Sequence, residues 1–345
     1  MRTTPQHERD TGAHVIEAND ITVEELETKA AELGVNLPIE QTAVWAGYQA
    51  TIDGRTPWGA VELTQDGRTI ALVSLFDYET HGYHYLRSNH APVWVAEPDE
   101  ELEGQVIDAL AAHVRAKDKR QKFMRISIKA ELASTTPVLS GIPYDHTVVI
   151  DVTGGDEEIL SRMKPRGRRD VRKALRESPV TCADETELAS KSFEEYYDVM
   201  RETGERDGFT PAPCSDYEDM IRILGPEHCR VYAGRLDGRV VTWSLVTING
   251  TRAVRYYGAS RNETMRQHVT DKLVYFECCD LGANQGCLDY DMMAIGSEFS
   301  PKLMGLNEFK TKFTKQVAEV APDRDVPLHS LFYKALVTAK KLRDR

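Results

Sequence analysis

RYYGASRN (Arg255–Asn262), YDMMAIG (Tyr290–Gly296) and GLNEFKTKF (Gly305–Phe313) follow one another in the last part of the chain. The first ends a predicted buried strand, and the second lies in another apolar strand. The third carries apolar residues at helical spacing and predicts a short amphipathic helix. Between the strands, the apolar pattern of residues 266–283 predicts a longer helix. This alternation of strand and helix indicates an α/β layer with exposed strand ends, where ligand sites tend to form.

Two further motifs stand upstream of these segments: MKPRGRRDVRKAL (Met163–Leu175) and ETGERDGF (Glu202–Phe209). In this order the five motifs resemble those of the Fem family of peptidoglycan-bridge aminoacyltransferases. The resemblance implies an α/β (α+β) fold of two acetyltransferase-like (GNAT-type) domains side by side. It also implies a C-terminal helix that packs back on the first domain. Many members insert a long helical hairpin in the second domain, but no segment here is long enough for one, so a compact form is expected.

The chain divides into a polar start and two structural units. Residues 1–20 are predicted to be disordered, and residues 21–152 form the predicted first domain. Residues 153–322 form the predicted second domain, which the resemblance identifies as the carrier of the acceptor site. A C-terminal helix at about residues 323–345 is assigned to the first domain, also from the resemblance. Each half contains the hairpin signal Asp-Gly between two strand-like runs, at Asp66-Gly67 and Asp237-Gly238.

Length, charge and composition are those of an acidic globular protein. The 345 residues carry a net charge of −12, which argues against broad affinity for nucleic acid. No apolar run approaches the length of a membrane span, and the first residues contain no apolar segment of a secretory signal. These features predict a cytoplasmic protein. Six cysteines without a CxxC pair and ten scattered histidines predict neither a metal site nor a disulfide framework.

One strongly basic segment stands out against this acidic background. Residues 162–176 contain eight basic residues and a single acidic one, Asp170. On a predicted helix, Arg168 lies beside Arg172 and Arg169 beside Lys173. Such charges bind phosphate backbones without reading sequence. The partner is either acceptor-stem tRNA or the anionic membrane leaflet, and the alternative to both is an ordinary solvated helix face.

The resemblance implies a reaction in which a primary amine attacks an aminoacyl ester carried by tRNA. The acceptor is then a peptidoglycan precursor, either lipid II or UDP-MurNAc-pentapeptide. A lysine-like amine has a pKa near 10.4 and must lose a proton before it attacks, and the developing oxyanion needs a positive or hydrogen-bonding group. The ester is already activated, so no cofactor and no metal are expected. A monomer, with possible peripheral contact with the inner leaflet, completes the expectation.

The resemblance places the Phe-Lys pair of the last helix at the reaction centre, which makes Phe309 and Lys310 candidate catalytic residues. Lys310 is expected to supply positive charge, and the alternative is an exposed lysine on a helix surface. Phe309 is expected to position adenine or acceptor by stacking, or else is a plain core aromatic. Asp291, on its strand end, is expected to hold Lys310 or to accept a proton; the alternative is a structural hydrogen-bond acceptor.

Four further residues are candidates for substrate binding. Tyr256 and Tyr257 resemble tyrosines of the family's acceptor site, and strand alternation predicts that only one of them, Tyr257, faces it. Arg206 either binds an acceptor phosphate or stabilises its turn, and Tyr217 is retained where members place a Tyr. Gly47 stands where members with a known acceptor phosphate site place a Lys. The segment 211–213 similarly lacks an Arg that some members carry, so the acceptor is held differently or is lipid-linked.

Two other functions compete with amino-acid transfer. One is an acyl-CoA-dependent N-acyltransferase, because the GNAT fold is shared. Such enzymes hold the pyrophosphate with a glycine-rich loop that opens a helix, whereas Ser260–Glu263 occupies that position without glycines. The other is a non-catalytic scaffold that docks RNA or a membrane. The scaffold predicts that Lys310→Ala preserves function while charge reversal at Arg168 and Arg172 abolishes it.

Overall fold

Two β-sheets with helices packed on them make up the described part of the chain, residues 15–343 of a computed structural model. The first sheet has the order β1-β2-β3-β4-β6-β15-β7, and β5 pairs with β3. Its strands are β1 (Ile16–Ile21), β2 (Arg55–Gln65), β3 (Arg68–Thr80), β4 (Tyr83–Arg87), β5 (Val93–Trp94), β6 (Gln121–Ser127), β7 (Thr136–Pro137) and β15 (Asp323–Pro327). Its helices are α1 (Val23–Glu32), α2 (Ala43–Gln49), α3 (Glu100–Lys117) and α11 (Ser330–Arg343), with a 3₁₀ turn at Ile39–Gln41.

The second sheet has the order β14-β8-β13-β12-β11-β10-β9. Its strands are β8 (His146–Asp151), β9 (Thr181–Asp184), β10 (Cys229–Leu236), β11 (Arg239–Asn249), β12 (Arg252–Ser260), β13 (Asp289–Ala294) and β14 (Ala318–Glu319). Its helices are α4 (Asp156–Arg162), α5 (Pro165–Glu177), α6 (Thr186–Lys191), α7 (Glu194–Asp207), α8 (Cys214–His228), α9 (Val269–Ala283) and α10 (Asn307–Lys310). The 3₁₀ segments Asn262–Gln267 and Pro301–Leu306 precede α9 and α10.

Both predicted Asp-Gly hairpins are present. Asp66 and Gly67 have φ values of 51° and 74°, and Asp237 and Gly238 have 51° and 81°. Two successive positive φ values define the type I′ turn, whose twist matches that of the flanking strands. These turns join β2 to β3 and β10 to β11.

Three predicted boundaries are wrong. Within the segment predicted to be disordered, residues 16–20 pair with β2, because Ile16 and Ala18 pack on the first core; residues 1–14 lie outside the described part. Strand β8, predicted in the first domain, pairs with β13 of the second sheet. Residues 323–327, predicted as the start of the last helix, form β15, because Asp325 is buried against Arg125 of β6.

A short connection, residues 208–213, joins α7 to α8. Helix α7 continues through Asp207 and ends where Gly208 adopts a left-handed conformation, with φ at 77°. Helix α8 then begins at Cys214. Arg206 therefore lies in the last turn of a helix, close to the end of β12.

The C-terminal helix packs back on the first domain, as predicted. The Tyr333 hydroxyl donates to Asp325 Oδ2 at 2.8 Å, and its ring meets Phe123 at 5.4 Å. The two domains also share one hydrophobic core, in which Trp45 of α2 lies with Tyr217 of α8 and Trp243 of β11. This shared core fixes the relative position of the cavities that lie between and beside the sheets.

Candidate active site

The second sheet opens into a cleft where its two parallel strands diverge. β12 and β13 pair only through residues 252–254 and 289–291. Beyond that point β12 continues to Ser260, whereas β13 bulges between Asp291 and Ala294. The gap forms a cavity of about 770 Å³, called here the Lys310 cavity, which is lined by the last residues of both strands and by α10. The predicted exposed strand ends are therefore where the ligand-sized space lies.

Lys310 lies at the base of this cavity and is held by backbone carbonyls. Its Nζ donates to the carbonyl oxygens of Met293 at 3.2 Å and Ala294 at 2.8 Å. Burial, followed by the positive charge of Arg255, lowers the pKa of Lys310 from 10.5 to about 8, against an opposing effect of Asp291. The one-turn helix α10 thus presents a largely desolvated amine, which is a stronger electrostatic group than an exposed lysine.

Asp291 acts on Lys310 through the bulge rather than by direct contact. Its Oδ1 accepts the Met293 N–H at 2.7 Å and also the Thr147 hydroxyl. Met293 has φ at 59°, an unusual value for a residue with a side chain. The carboxylate therefore stabilises the strained turn whose carbonyls hold Lys310. This is the structural role that the sequence left as the alternative to proton transfer.

The other cations around the cavity have carboxylate partners. Arg206 binds Asp207 through Nε at 2.8 Å and also donates to the Ser260 carbonyl at 2.8 Å. Lys312, which is buried, pairs with Asp271, and Arg166 pairs with Glu308. Among the described residues that line the cavity, Lys310 is therefore the cation bound by carbonyls alone.

Phe309 lines the cavity and is half-buried. Its ring meets Phe313 edge-on at 5.3 Å, and Lys312 Nζ lies 5.0 Å from the ring centre. It also packs on the core of the second domain. The Phe309 ring thus packs against the core and also contributes to the wall of the cavity that contains Lys310.

Both tyrosines of the YYGAS motif line the Lys310 cavity, so the prediction from strand alternation is wrong. Leu245 pairs with Tyr257 but Val246 pairs with Arg255, which makes Tyr256 the extra residue of a β-bulge. The bulge turns the two rings toward each other at 5.4 Å. A register shift of this kind depends on the partner strand and leaves no mark in the local sequence.

Tyr217 is not part of the cavity wall. It is 2% exposed and packs 4.9 Å from the ring of Tyr257. It can act on a ligand only through Tyr257, so its predicted substrate contact is wrong. Gly47 lies where α2 meets α8, and a Cβ there would make an ordinary van der Waals contact with Ile223, at 3.5 Å.

The predicted phosphate-binding residues of the basic helix α5 lie in two different environments. Arg168 is half-buried and donates to the Met163 carbonyl at 2.6 Å, close to the end of α4. Arg169, Arg172 and Lys173 are exposed on the outer surface of α5. Arg168 therefore has a structural contact, and the other three form a solvent-facing basic surface beside the cavity.

Arg255 is a site residue that the sequence analysis missed. Its side chain is 11% exposed, lines the cavity, and pairs at 3.5 Å with the fully buried Glu277. Glu277 also accepts the Tyr290 hydroxyl at 2.6 Å. A Cβ at Gly258 would lie only 2.6 Å from Arg255 Nη1, so the glycine of the motif leaves room for the guanidinium. A basic residue directly before two aromatic residues at a strand end was the available signal.

Two general features of residues 15–343 complete the description. These residues contain no group of three or more His, Cys, Asp or Glu side chains that could hold a metal ion. None of the helices in this range is long and apolar enough to cross a membrane.

Comparison with known proteins gives similarity in sequence over part of the chain and in structure over most of it. Residues 161–311 match the family model of the acetyltransferase (GNAT) domain. No curated protein matches the chain. The coarse class that these residues support is an acyltransferase of the GNAT type.

Among solved structures, the chain is similar to FemX with a TM-score of 0.72 and 16% identity, over 93% of this chain and 100% of that one. It is also similar to a tandem GNAT protein from the clavulanic acid pathway, solved without AcCoA, with a TM-score of 0.53, 11% identity and coverage of 91% and 98%. A third similar structure is the C-terminal domain of a putative lysylphosphatidylglycerol synthetase from Agrobacterium fabrum. Its TM-score is 0.52 and its identity 12%, over 88% of this chain and 92% of that one. Two GNAT-type domains joined in one chain are the fold of this protein.

Proposed function

We propose that the protein transfers an amino acid from aminoacyl-tRNA to the side-chain amine of a peptidoglycan precursor. The observation that carries this proposal is Lys310, a desolvated amine held by two carbonyls where the strands of the GNAT-type domain diverge. The order of the five motifs supports the same reaction. The Fem family that the five motifs resemble transfers glycine, alanine, serine or threonine, and these four are the candidates for the transferred amino acid.

The proposed reaction needs no energy source beyond the ester itself. The acceptor ammonium first loses a proton, and its nitrogen then attacks the ester carbonyl carbon. The new C–N bond gives a tetrahedral intermediate, whose collapse breaks the bond to the ribose oxygen. The ribose leaves as a hydroxyl, with a proton lost by the attacking nitrogen. In this proposal Lys310, when protonated, stabilises the oxyanion of that intermediate, a contribution commonly worth a factor of about a hundred or more. Asp291 positions Lys310 through Met293.

The charges near the helix starts argue against acyl-CoA as the donor. GNAT enzymes hold a pyrophosphate at the N-terminus of the helix that follows the diverging strands. In the second domain that helix is α9, whose first turn carries Asp271, paired with Lys312. In the first domain the first turn of α3 carries three glutamates, Glu100, Glu101 and Glu103. A pyrophosphate would meet negative charge at the start of α3, and at the start of α9 it would meet an ion pair that is already formed.

The proposal is tested by incubating the protein with a panel of charged tRNAs and with both forms of the acceptor, lipid-linked and UDP-linked. Mass analysis of the acceptor is expected to show the addition of one amino-acid residue. Lys310→Met should lower turnover by a factor on the order of a hundred or more. Lys315→Met, at an exposed lysine nearby, is the matched control and should keep full turnover.

The competing functions predict other results in the same assay. Acylation of the acceptor amine by acetyl-CoA, without charged tRNA, would replace the proposal by an acyl-CoA-dependent enzyme, which the match to the acetyltransferase domain favours. No transfer from any donor, combined with RNA or vesicle binding that is lost on charge reversal at Arg169 and Arg172, would indicate a scaffold.

A further inference from the structure

A second cavity lies between the domains and contains a buried carboxylate. Glu40 belongs to the 3₁₀ turn Ile39–Gln41 and is 3% exposed. The turn is fixed by Gln41, whose amide donates to Ser88 Oγ at 3.0 Å and accepts the Ser74 N–H at 2.7 Å. Glu40 lines a cavity of about 280 Å³, called here the Glu40 cavity. The hydrogen bonds of Gln41 thus fix the position of Glu40 in this cavity.

The Glu40 carboxylate has no close partner in the described part of the chain. The nearest cationic group is His90 Nε2, at 3.8 Å, which is beyond hydrogen-bonding distance. A carboxylate this buried is costly unless a donor or an opposite charge satisfies it. Glu40 therefore has His90 as its one ion-pair partner among the described residues and accepts no hydrogen bond from them, and a cation that enters the cavity can supply a closer counter-charge.

The remaining walls of the Glu40 cavity define the chemistry of that ligand. Asp291 adds a second carboxylate, while Arg252 and Asp289 neutralise each other at 2.7 Å. The balance of charge in the cavity is therefore negative. Ile39 and Val254 supply apolar wall. This combination suits an alkyl chain that ends in an ammonium group.

The Glu40 cavity adjoins the Lys310 cavity. Met293 lines both, and its carbonyl is one of the two that hold Lys310. Burial and then the negative charges of Asp291 and Glu40 raise the pKa of Tyr144, which lines the Glu40 cavity. The two carboxylates therefore act on the same wall, next to the β13 bulge whose carbonyls hold Lys310.

We infer that the Glu40 cavity binds the acceptor as a primary ammonium on an alkyl chain, with Glu40 as its counter-charge. The identification of this amine as the acceptor rests on the proposed function. Glu40 is a binding residue in this inference, and no proton transfer to it is required. The first domain thereby contributes to a site that the sequence assigned to the second domain alone.

The test measures binding of Nα-acetyl-lysine amide and of Nα-acetyl-norleucine amide, which lacks the amine, by titration calorimetry. The native protein is expected to bind the lysine derivative more tightly. Glu40→Gln should weaken that binding by a factor on the order of ten to a hundred, the usual value of a hydrogen bond to a charged group, and leave the norleucine derivative unaffected. Glu319→Gln removes an equal charge at an exposed position next to Val320 of the cavity wall, and should change nothing.

Thermal unfolding shows whether the Glu40→Gln variant folds, and its midpoint is expected to equal or exceed that of the native protein. Equal binding of the lysine derivative by the native protein and Glu40→Gln would overturn the inference, even if transfer from tRNA is observed. If transfer is not observed but Glu40 still determines binding of the ammonium, the proposed function fails and the cation site stands.

Discussion

Lys310 is expected to destabilise the folded protein at neutral pH, and this cost can be worked out from the structure. Its pKa falls from 10.5 to about 8. Since one pKa unit is worth about 1.4 kcal/mol, the protonated side chain costs the folded state about 3 kcal/mol. Replacement by Met removes that cost and also removes two hydrogen bonds to carbonyls, together worth about 2 kcal/mol. Lys310→Met should therefore be about 1 kcal/mol more stable than the native protein at pH 7.

The sign of this difference is expected to reverse with pH. Between pH 8 and pH 10.5 the unfolded chain keeps the lysine proton and the folded protein loses it, so the native protein gains stability as pH rises. The gain totals about 3 kcal/mol over this window. Above pH 10.5 the variant differs from the native protein only by the loss of the two hydrogen bonds. Lys310→Met should then be the less stable protein by about 2 kcal/mol.

Urea unfolding of both proteins at pH 7, 8, 9, 10 and 10.5 measures this dependence, because other groups titrate equally in the two and cancel. Lys315→Met, at an exposed lysine, should differ from the native protein by the same small amount at every pH. A Lys310→Met difference that does not change from pH 7 to pH 10.5 would refute the reasoning. In that case the amine would not be desolvated, and its proposed electrostatic role would lose its physical basis.

Two further predictions concern stability. Gly167→Ala should lower the free energy of unfolding by about 1–3 kcal/mol, because a Cβ would lie 2.1 Å from the Lys312 carbonyl oxygen; Gly305→Ala, with open space around it, is the control in a urea titration. Asp325→Ala should lower the free energy of unfolding by about 3–5 kcal/mol. Arg125 Nε lies 2.7 Å from Asp325 Oδ1 in the native protein, and the variant leaves this buried arginine without its partner. Combining it with Arg125→Met should recover stability in the same titration, and a further loss would contradict the argument.

The sequence predicted those parts of the fold that depend on local patterns. Asp66-Gly67 predicts its hairpin because the turn itself requires residues that tolerate positive φ. By contrast, β8 was placed in the wrong domain, since pairing of a strand across a domain boundary depends on distant residues. Likewise β15 was missed because its charged residues resemble a surface segment, although Asp325 is fully buried.

The candidate site shows the same division between local and distant information. Lys310 can be predicted because its motif surrounds it. Arg255 could have been predicted from its place at a strand end, directly before two aromatic residues. Glu40 carried no such signal, because its burial results from the packing of the first domain against β11, β12 and β13 of the second sheet. The pairing of Tyr256 with Tyr257 depended on a bulge that only the register with β11 defines.

The placement of opposite charges on the two sides of Met293 solves a difficulty that the proposed reaction poses. The acceptor arrives as an ammonium, and Lys310 is itself positive when protonated. At 4 Å and an effective dielectric constant of 20, two such charges repel by about 4 kcal/mol, which is about a thousandfold in affinity. Glu40 and Asp291, on the acceptor side of the bulge, offset this repulsion without contacting Lys310 directly. In the proposed reaction, the ester binds in the cavity beside Lys310 and the acceptor amine in the cavity beside Glu40 and Asp291, with Met293 in the wall of both.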